Sequence, residues 1–451
     1  YPAYIKEIDK WVDNNVRSTV LNLSDACGFA KRDQWVPGER KPIPSLEKNL
    51  LQKSVSKSSV SAEVRSILKN LHRTSRPKIA ELATLFESRG ADFTYIAKTA
   101  DNLREKSNGD EVTYVVNRNI NYTNVCYFKC QFCAFSKGKV SENLRGAPYD
   151  ISAEEIARRC KEAWSRGATE VCMQGGIHPD YTGQTYLDIL STVKTAVPDL
   201  HIHAFSPLEV WQGAKTLGIS LTEFLEHLKS AGLSTLPGTA AEILDDEVRK
   251  SLCPDKINAS QWLEVMRVAH QVGFKTTATI MYGHIESPLH WSNHLTAIRE
   301  LQLQTGGFTE FVPLPYVPME APMYLKGKSR RGPSFRESIL MHSISRIAFE
   351  NLINNIQTSW VKMGQDGVRA CLNAGANDIG GTLMNESITR AAGADHGQEW
   401  RPSDMEEAIL KMGRTPKMRT TKYETAPQNM KKLAFKATTL RRIENTAAQK
   451  L

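Results

Sequence analysis

"VTYVVNRNINYTNVCYFKCQFC", Val112 to Cys133, decides the fold. Its first half is rich in β-branched and aromatic residues, as a strand is, and its second half is a polar loop holding three cysteines spaced C-x3-C-x2-C. The theme of strand then functional loop repeats downstream. Short apolar runs follow in order: "TEVCMQ", "LHIHAF", "LSTLP", "KTTATIM", "GFTEFVP", "QTSWVKM" and "GANDIGG". Amphipathic stretches separate most of them. In "SAEEIARRCKEAWSRG", Ser152 is placed to cap a helix and Glu155 to complete a capping box. "SPLHWSNHLTAIRELQLQTG" opens on Ser287-Pro288 and closes on Gly306. Eight strands alternating with helices predict an α/β chain with a parallel sheet, and the count suits a closed (βα)8-type TIM barrel. An open doubly wound sheet is the alternative that strand counting leaves.

In a barrel, chemistry collects in the loops after the strand C-termini. The polar and glycine-rich segments "NINYTNVCYFKCQFC", "QGGIHPD", "SPLE", "PGTAAEIL", "YGHIE", "PLPYVP" and "GGTLMNE" lie in such loops. Barrel helices and strands fill 111–412. Before them, 62–110 shows helical spacing for two or three helices, and 31–61, rich in Pro, Lys and Ser, reads as a linker. Residues 1–30 read as a short helical piece, the remnant of a preceding domain or an inter-domain helix. The first residue is Tyr1 and no apolar signal core follows, so the chain is expected to be part of something longer.

The net charge of +9 is unevenly placed. Eleven of the 58 Lys and Arg, and two of the 49 Asp and Glu, lie from Lys411 onward, so 413–451 is a basic tail on a formally neutral body. Without interleaved aromatics or a nucleic-acid-binding motif, the tail reads as a solvated basic face. Leu433, Leu440 and Ile443 lie roughly in line on a basic helix expected to pack on the barrel or on a partner rather than in a membrane. No apolar run reaches the roughly 18 residues a transmembrane helix needs. The five cysteines outside the triplet are scattered like buried free thiols, so a soluble protein of a reducing compartment is expected: cytoplasm, or an organelle stroma or matrix.

Three thiolates can hold three irons of a [4Fe–4S] cluster and leave the fourth without a protein ligand, open to a substrate or cofactor. Tyr127, Phe128 and Phe132 would keep such a cluster dry, and Lys129, Lys137 and Lys139 bring positive charge near it. A structural zinc site is the alternative, although the nearest fourth cysteine in sequence, Cys160, falls in a predicted helix.

C-x3-C-x2-C with an aromatic before its last cysteine, after the first strand of a βα barrel, resembles the radical S-adenosylmethionine (SAM) superfamily. The resemblance implies that Cys126, Cys130 and Cys133 ligate the cluster. It also implies that the open iron chelates SAM and that reductive cleavage yields a 5′-deoxyadenosyl radical. It assigns Gln174, Gly175 and Gly176 in "MQGGIHPD" to the SAM amino group, with Ile177 standing where the family pattern has Glu. Longer stretches, among them "LPGTAAEILDDEVRKSLCPDK" and "GANDIGGTLMNE", resemble the CofH-type half of FO synthases, and "WVDNNVRSTVLNLSDACGFAKRDQWVPG" resembles the region joining the halves of fused ones.

That branch implies condensation of L-tyrosine with 5-amino-6-(D-ribitylamino)uracil, an external electron donor, and a CofG-type ring-closing half fused upstream. Menaquinone futalosine-pathway enzymes share much of the motif set, and a non-catalytic iron–sulfur or zinc module is an alternative of another class. Further residues at strand ends become expected contacts. Ser206, Glu209, Glu242 and Arg249 are expected to bind SAM, His284 and Glu286 to contact substrate or move a proton, and Asn377, Asp378 and Thr382 to bind the uracil or ribityl chain. His178, His201 and His203 are expected to be structural.

Overall fold

The computed structural model describes residues 2–74, 76–136 and 148–440. Nine parallel strands carry it: β1 (Glu111–Val115), β2 (Asn117–Ile120), β3 (Glu170–Met173), β4 (His201–Ala204), β5 (Thr235–Leu236), β6 (Lys275–Tyr282), β7 (Phe308–Pro315), β8 (Asp378–Gly381) and β9 (Thr415–Arg419). Six run β2-β3-β4-β5-β6-β7 and three run β8-β1-β9. Single parallel bridges, Phe311 to Ile356 and Gln357 to Asp378, join β7 to β8. Since β2 continues β1 after one residue, these bridges close the barrel.

The first predicted strand is therefore split in two. Its lower half pairs with β8 and β9 and its upper half with β3. "QTSWVKM" is not a full strand. Only Ile356 and Gln357 bridge, and a helix begins at Trp360. "LSTLP" contributes only Thr235 and Leu236. Val171 and Ile202 join the apolar core, whereas Glu170, Cys172, His201 and His203 alternate with them and form a polar interior. His201 and His203 both meet the Thr235 hydroxyl, at 2.8 and 2.7 Å.

Both helices read from the sequence form. Ser152 caps Ala153–Ser165 by accepting the Glu155 amide at 3.3 Å, but the Glu155 carboxylate turns to Arg158 and Arg159 instead of closing a box. Pro288–Thr305 ends at Gly306, whose φ of 60° is left-handed backbone that glycine adopts without a Cβ penalty.

The two ends of the chain depart most from expectation. Thr415–Arg419, in the expected tail, is a strand in full register with β1, and Met418 and Arg419 are buried. In the helix Gln428–Lys436, Met430 and Ala434 are buried while Leu433 is 38% exposed, so the packed line is not the one expected; Ile443 lies outside the described residues. The stretch 31–61, expected as a linker, contains the buried segment Trp35–Gly38 and a helix, Ser45–Gln52. Trp35 packs edge-on against Phe335 at 5.2 Å. The Gly38 amide donates to Lys362 O at 2.7 Å, and Asp395 donates to Gly38 O at 3.0 Å. This strap crosses the loops that follow β7, Gln357 and β8.

Candidate active site

The loop after β2 carries the three cysteines at the C-terminal mouth of the barrel. Its backbone is pinned to three neighbours. Tyr127 N donates to Ile177 O at 3.1 Å, Gln131 N to Leu252 O at 2.9 Å, and Met323 N to Gln131 O at 2.8 Å. Cys130 and Cys133 form a turn (Cys133 N to Cys130 O, 3.2 Å), and the Ser136 amide donates to Cys133 Sγ at 3.3 Å. Burial pushes the Cys130 and Cys133 thiols up, and each raises further near another cysteine of the set. Lys256 opposes this at both, and the Ser136 amide at Cys133, as donors and cations near a forming thiolate do.

Among the described residues, no three His, Cys, Asp or Glu side chains gather about a point as a single metal ion requires. A four-iron cluster takes each thiolate on a different iron and leaves the fourth open, and three cysteines on one loop supply that donor set. Lys137 and Lys139 lie outside the described residues.

Gly175 and Gly176 press against this loop. A Cβ on Gly175 would fall on the Tyr122 ring, and one on Gly176 on the Val125 carbonyl, 2.9 Å from Cys126 Cβ. Their amides are engaged, Gly175 N with Glu209 Oε1 at 3.3 Å and Gly176 N with Thr123 O at 2.8 Å. Gln174 turns to Cys172 Sγ at 3.6 Å. Gly176→Ala is accordingly expected to displace the cysteine loop. Iron content after anaerobic loading should fall well below that of the parent, with a stability loss of about 1–3 kcal/mol. Full loading would show that the loop yields at no cost.

Ser206 caps the helix Pro207–Leu217 and shares a capping box with Glu209. Glu209 also accepts from the Tyr122 hydroxyl, and burial raises its carboxyl against these hydrogen bonds. This pair ties β2, the glycine segment and the helix after β4 into one support under the cysteine loop.

The other expected contacts fare differently. Arg249 donates its guanidinium to backbone carbonyls of Ala240, Ala241, Ile243 and Ile257. Glu242 pairs with Lys256 at 2.8 Å. His284 and Glu286 are fully buried, 2.7 Å apart, with Glu286 also accepting Trp291 Nε1 at 2.9 Å. Burial alone would raise the Glu286 carboxyl, but His284 and Arg330 hold it well below the usual range. Both side chains are fully buried, so in this structure they face one another and Arg330.

Asn377 accepts Arg346 Nη2 at 2.7 Å and Ile356 N at 2.9 Å. The Thr382 hydroxyl donates to Asn117 O at 3.0 Å and accepts Asn117 N at 3.1 Å. Asp378 takes Arg419 Nε at 2.6 Å. All three hold β8 to its neighbours. Sequence reading missed Lys256, Tyr122 and the Trp35 strap. Lys256 follows Cys253 by three residues in a turn with no periodicity to mark it.

Solved structures share this architecture. The hydrogenase maturase HydG of Carboxydothermus hydrogenoformans matches with TM-score 0.61 over 84% of each chain at 15% identity. Methylornithine synthase PylB matches with TM-score 0.58 over 79% of this chain and 97% of its own, at 20% identity. Family models match at residues 120–298 (radical SAM superfamily) and 305–432 (CofH/MqnC C-terminal region).

The 5-amino-6-(D-ribitylamino)uracil–L-tyrosine 4-hydroxyphenyl transferase of Methanopyrus kandleri is 48% identical over 73% of this chain and 88% of its own. The FO synthase of Mycobacterium leprae is 40% identical over 94% of this chain and 53% of its own, so the chain spans about half that relative's length. The chain belongs to the radical SAM superfamily and, within it, to the family of the Methanopyrus transferase. Membership implies a [4Fe–4S] cluster and SAM as cofactors. Among the described residues no helix is long and apolar enough to cross a membrane.

Proposed function

We propose that the chain transfers the 4-hydroxybenzyl group of L-tyrosine to 5-amino-6-(D-ribitylamino)uracil, a step toward the deazaflavin FO. The observation that carries this reading is the 48% identity extending over 88% of the Methanopyrus transferase. Cys126, Cys130 and Cys133 hold the cluster. Phe132 and Phe128 exclude water from it, and the Gln174–Gly176 backbone meets SAM. When bound, the cluster and SAM would supply a 5′-deoxyadenosyl radical for hydrogen abstraction from tyrosine. The tyrosine Cα–Cβ bond would then break to free the 4-hydroxybenzyl group for C5 of the uracil. The barrel's own work is to place the substrates above its polar interior, where Cys172 and Gln174 are half-buried, and to keep the site dry. An external donor supplies the electron, and a ring-closing partner, present as the other half of FO synthase, consumes the adduct.

Anaerobic incubation of the cluster-loaded chain with SAM, reductant, tyrosine and the aminouracil is expected to give a hydroxybenzyl–uracil adduct together with 5′-deoxyadenosine, both read by mass spectrometry. Deoxyadenosine without adduct would overturn the substrate assignment and leave the radical chemistry.

A further inference from the structure

One buried cation stands beside the cysteines. Lys256 Nζ lies 5.1 Å from the centroid of the Phe132 ring. It pairs with Glu242 at 2.8 Å, the two side chains being 11% and 12% exposed. Cys130 and Phe132 pack against the same small apolar cluster, built on Leu252, Cys253 and Tyr316. Lys256 thus lies over the ring of a residue between Cys130 and Cys133 in the chain, with Glu242 as its counter-ion.

The backbone is distorted to make this arrangement. Glu242 and Ala240 have φ of 44° and 64°, left-handed values that residues with a Cβ avoid. Arg249 clamps the result. Its Nη1 donates to Ala241 O at 2.6 Å and Ile243 O at 3.2 Å, on either side of Glu242. Its Nη2 reaches Ile257 O, the residue after Lys256. One guanidinium thus fixes both partners. A buried ion pair is a weak stabiliser because desolvation offsets its attraction, so stability alone is a poor reason for strained backbone and a dedicated clamp.

We propose that the Lys256–Glu242 pair, held by Arg249, sets the reduction potential of the cluster on Cys126, Cys130 and Cys133. This rests on the reading that those cysteines carry the cluster. Reduction adds one negative charge. A cation held in a low-dielectric wall beside the cysteine loop stabilises the reduced form and raises the potential, and the opposite charge of Glu242 limits the gain. Lys256 is a positioning residue for charge and touches no substrate.

The test is an electron-paramagnetic-resonance redox titration of the loaded chain without SAM or substrates. Lys256→Met is expected to make the cluster at least tenfold harder to reduce, a downward shift of 59 mV for a one-electron couple. Glu242→Gln is expected to shift it upward, and Lys256→Arg to leave it near the parent. Equal potentials in parent and Lys256→Met at equal iron content would overturn the proposal. So would an unchanged potential together with lost SAM affinity in a separate SAM-binding titration, which would make the lysine a SAM ligand. If Lys256→Met fails to load iron, Glu242→Gln decides: an unchanged or lower potential overturns it. A parent that takes up no cluster would instead defeat the proposed function.

Discussion

Replacing Cys126 with alanine is expected to lower reductive SAM cleavage more than about a thousandfold, the scale of loss when one member of a unit-acting catalytic set is removed. The fold should be spared. Cys126 is half-buried in a loop whose backbone is fastened elsewhere, through Tyr127, Gln131 and the amide of Gly176. Thermal stability should therefore change by about 1 kcal/mol or less. Iron and sulfide, near four each in the loaded parent, should fall steeply, because two thiolates do not retain a cubane built on three. Cys160→Ala is the matched control. Cys160 is fully buried in the helix Ala153–Ser165, and burial pushes its thiol up to about 12, as for an inert core thiol. That variant should load and cleave SAM like the parent. Cleavage by Cys126→Ala at the parent rate would remove the cluster from the triplet.

Arg419→Met is the substitution expected to cost most stability. Arg419 is 2% exposed and closes the barrel interior by meeting Asp378 at 2.6 Å and Glu310 at 3.3 Å. Without it two buried carboxyls lose their counter-charge, at a cost of about 3–5 kcal/mol. Burial first, then Asp378, push the Glu310 carboxyl up to about 7, against the pull of Arg419 and the Tyr423 hydroxyl.

Because this pKa is raised on folding, the folded chain keeps a proton that the unfolded chain releases. The contribution is fully present below the ordinary carboxyl range and is lost as pH rises toward about 7. Removing the arginine raises Glu310 further and carries that loss to higher pH. The variant's deficit should therefore be larger at pH 8 than at pH 6, read from thermal midpoints at both. An equal deficit at the two values would place the cost in packing rather than charge.

The role of Arg419 shows where sequence reading stopped. Asp378 is expected from the sequence to bind substrate, yet it is the first residue of β8, at the strand end opposite the one where barrel chemistry collects. Its real partner lies 41 residues on, in a strand hidden inside a basic tail. Thr415–Arg419 carries three charged or proline positions in five and has little strand signature of its own; pairing along the whole of β1 makes it a strand. The strap at Trp35 was hidden for the same reason. Pro, Lys and Ser around it give a linker's composition, and only contact with Phe335, Lys362 and Asp395 buries it.

By itself, the sequence determined what depends on neighbours along the chain. This includes the alternation of strands and helices, the cap at Ser152, the glycine pair after the second predicted strand, and the cysteine triplet with its C-x3-C-x2-C spacing. Tertiary structure decided which polar groups meet. It sent Asp378 to Arg419, Arg249 to four carbonyls and Lys256 to Glu242 beside Cys130. Local periodicity encodes which way a side chain leaves its own element. The partner it finds is fixed by strand register and closure of the barrel, which no single stretch of chain contains.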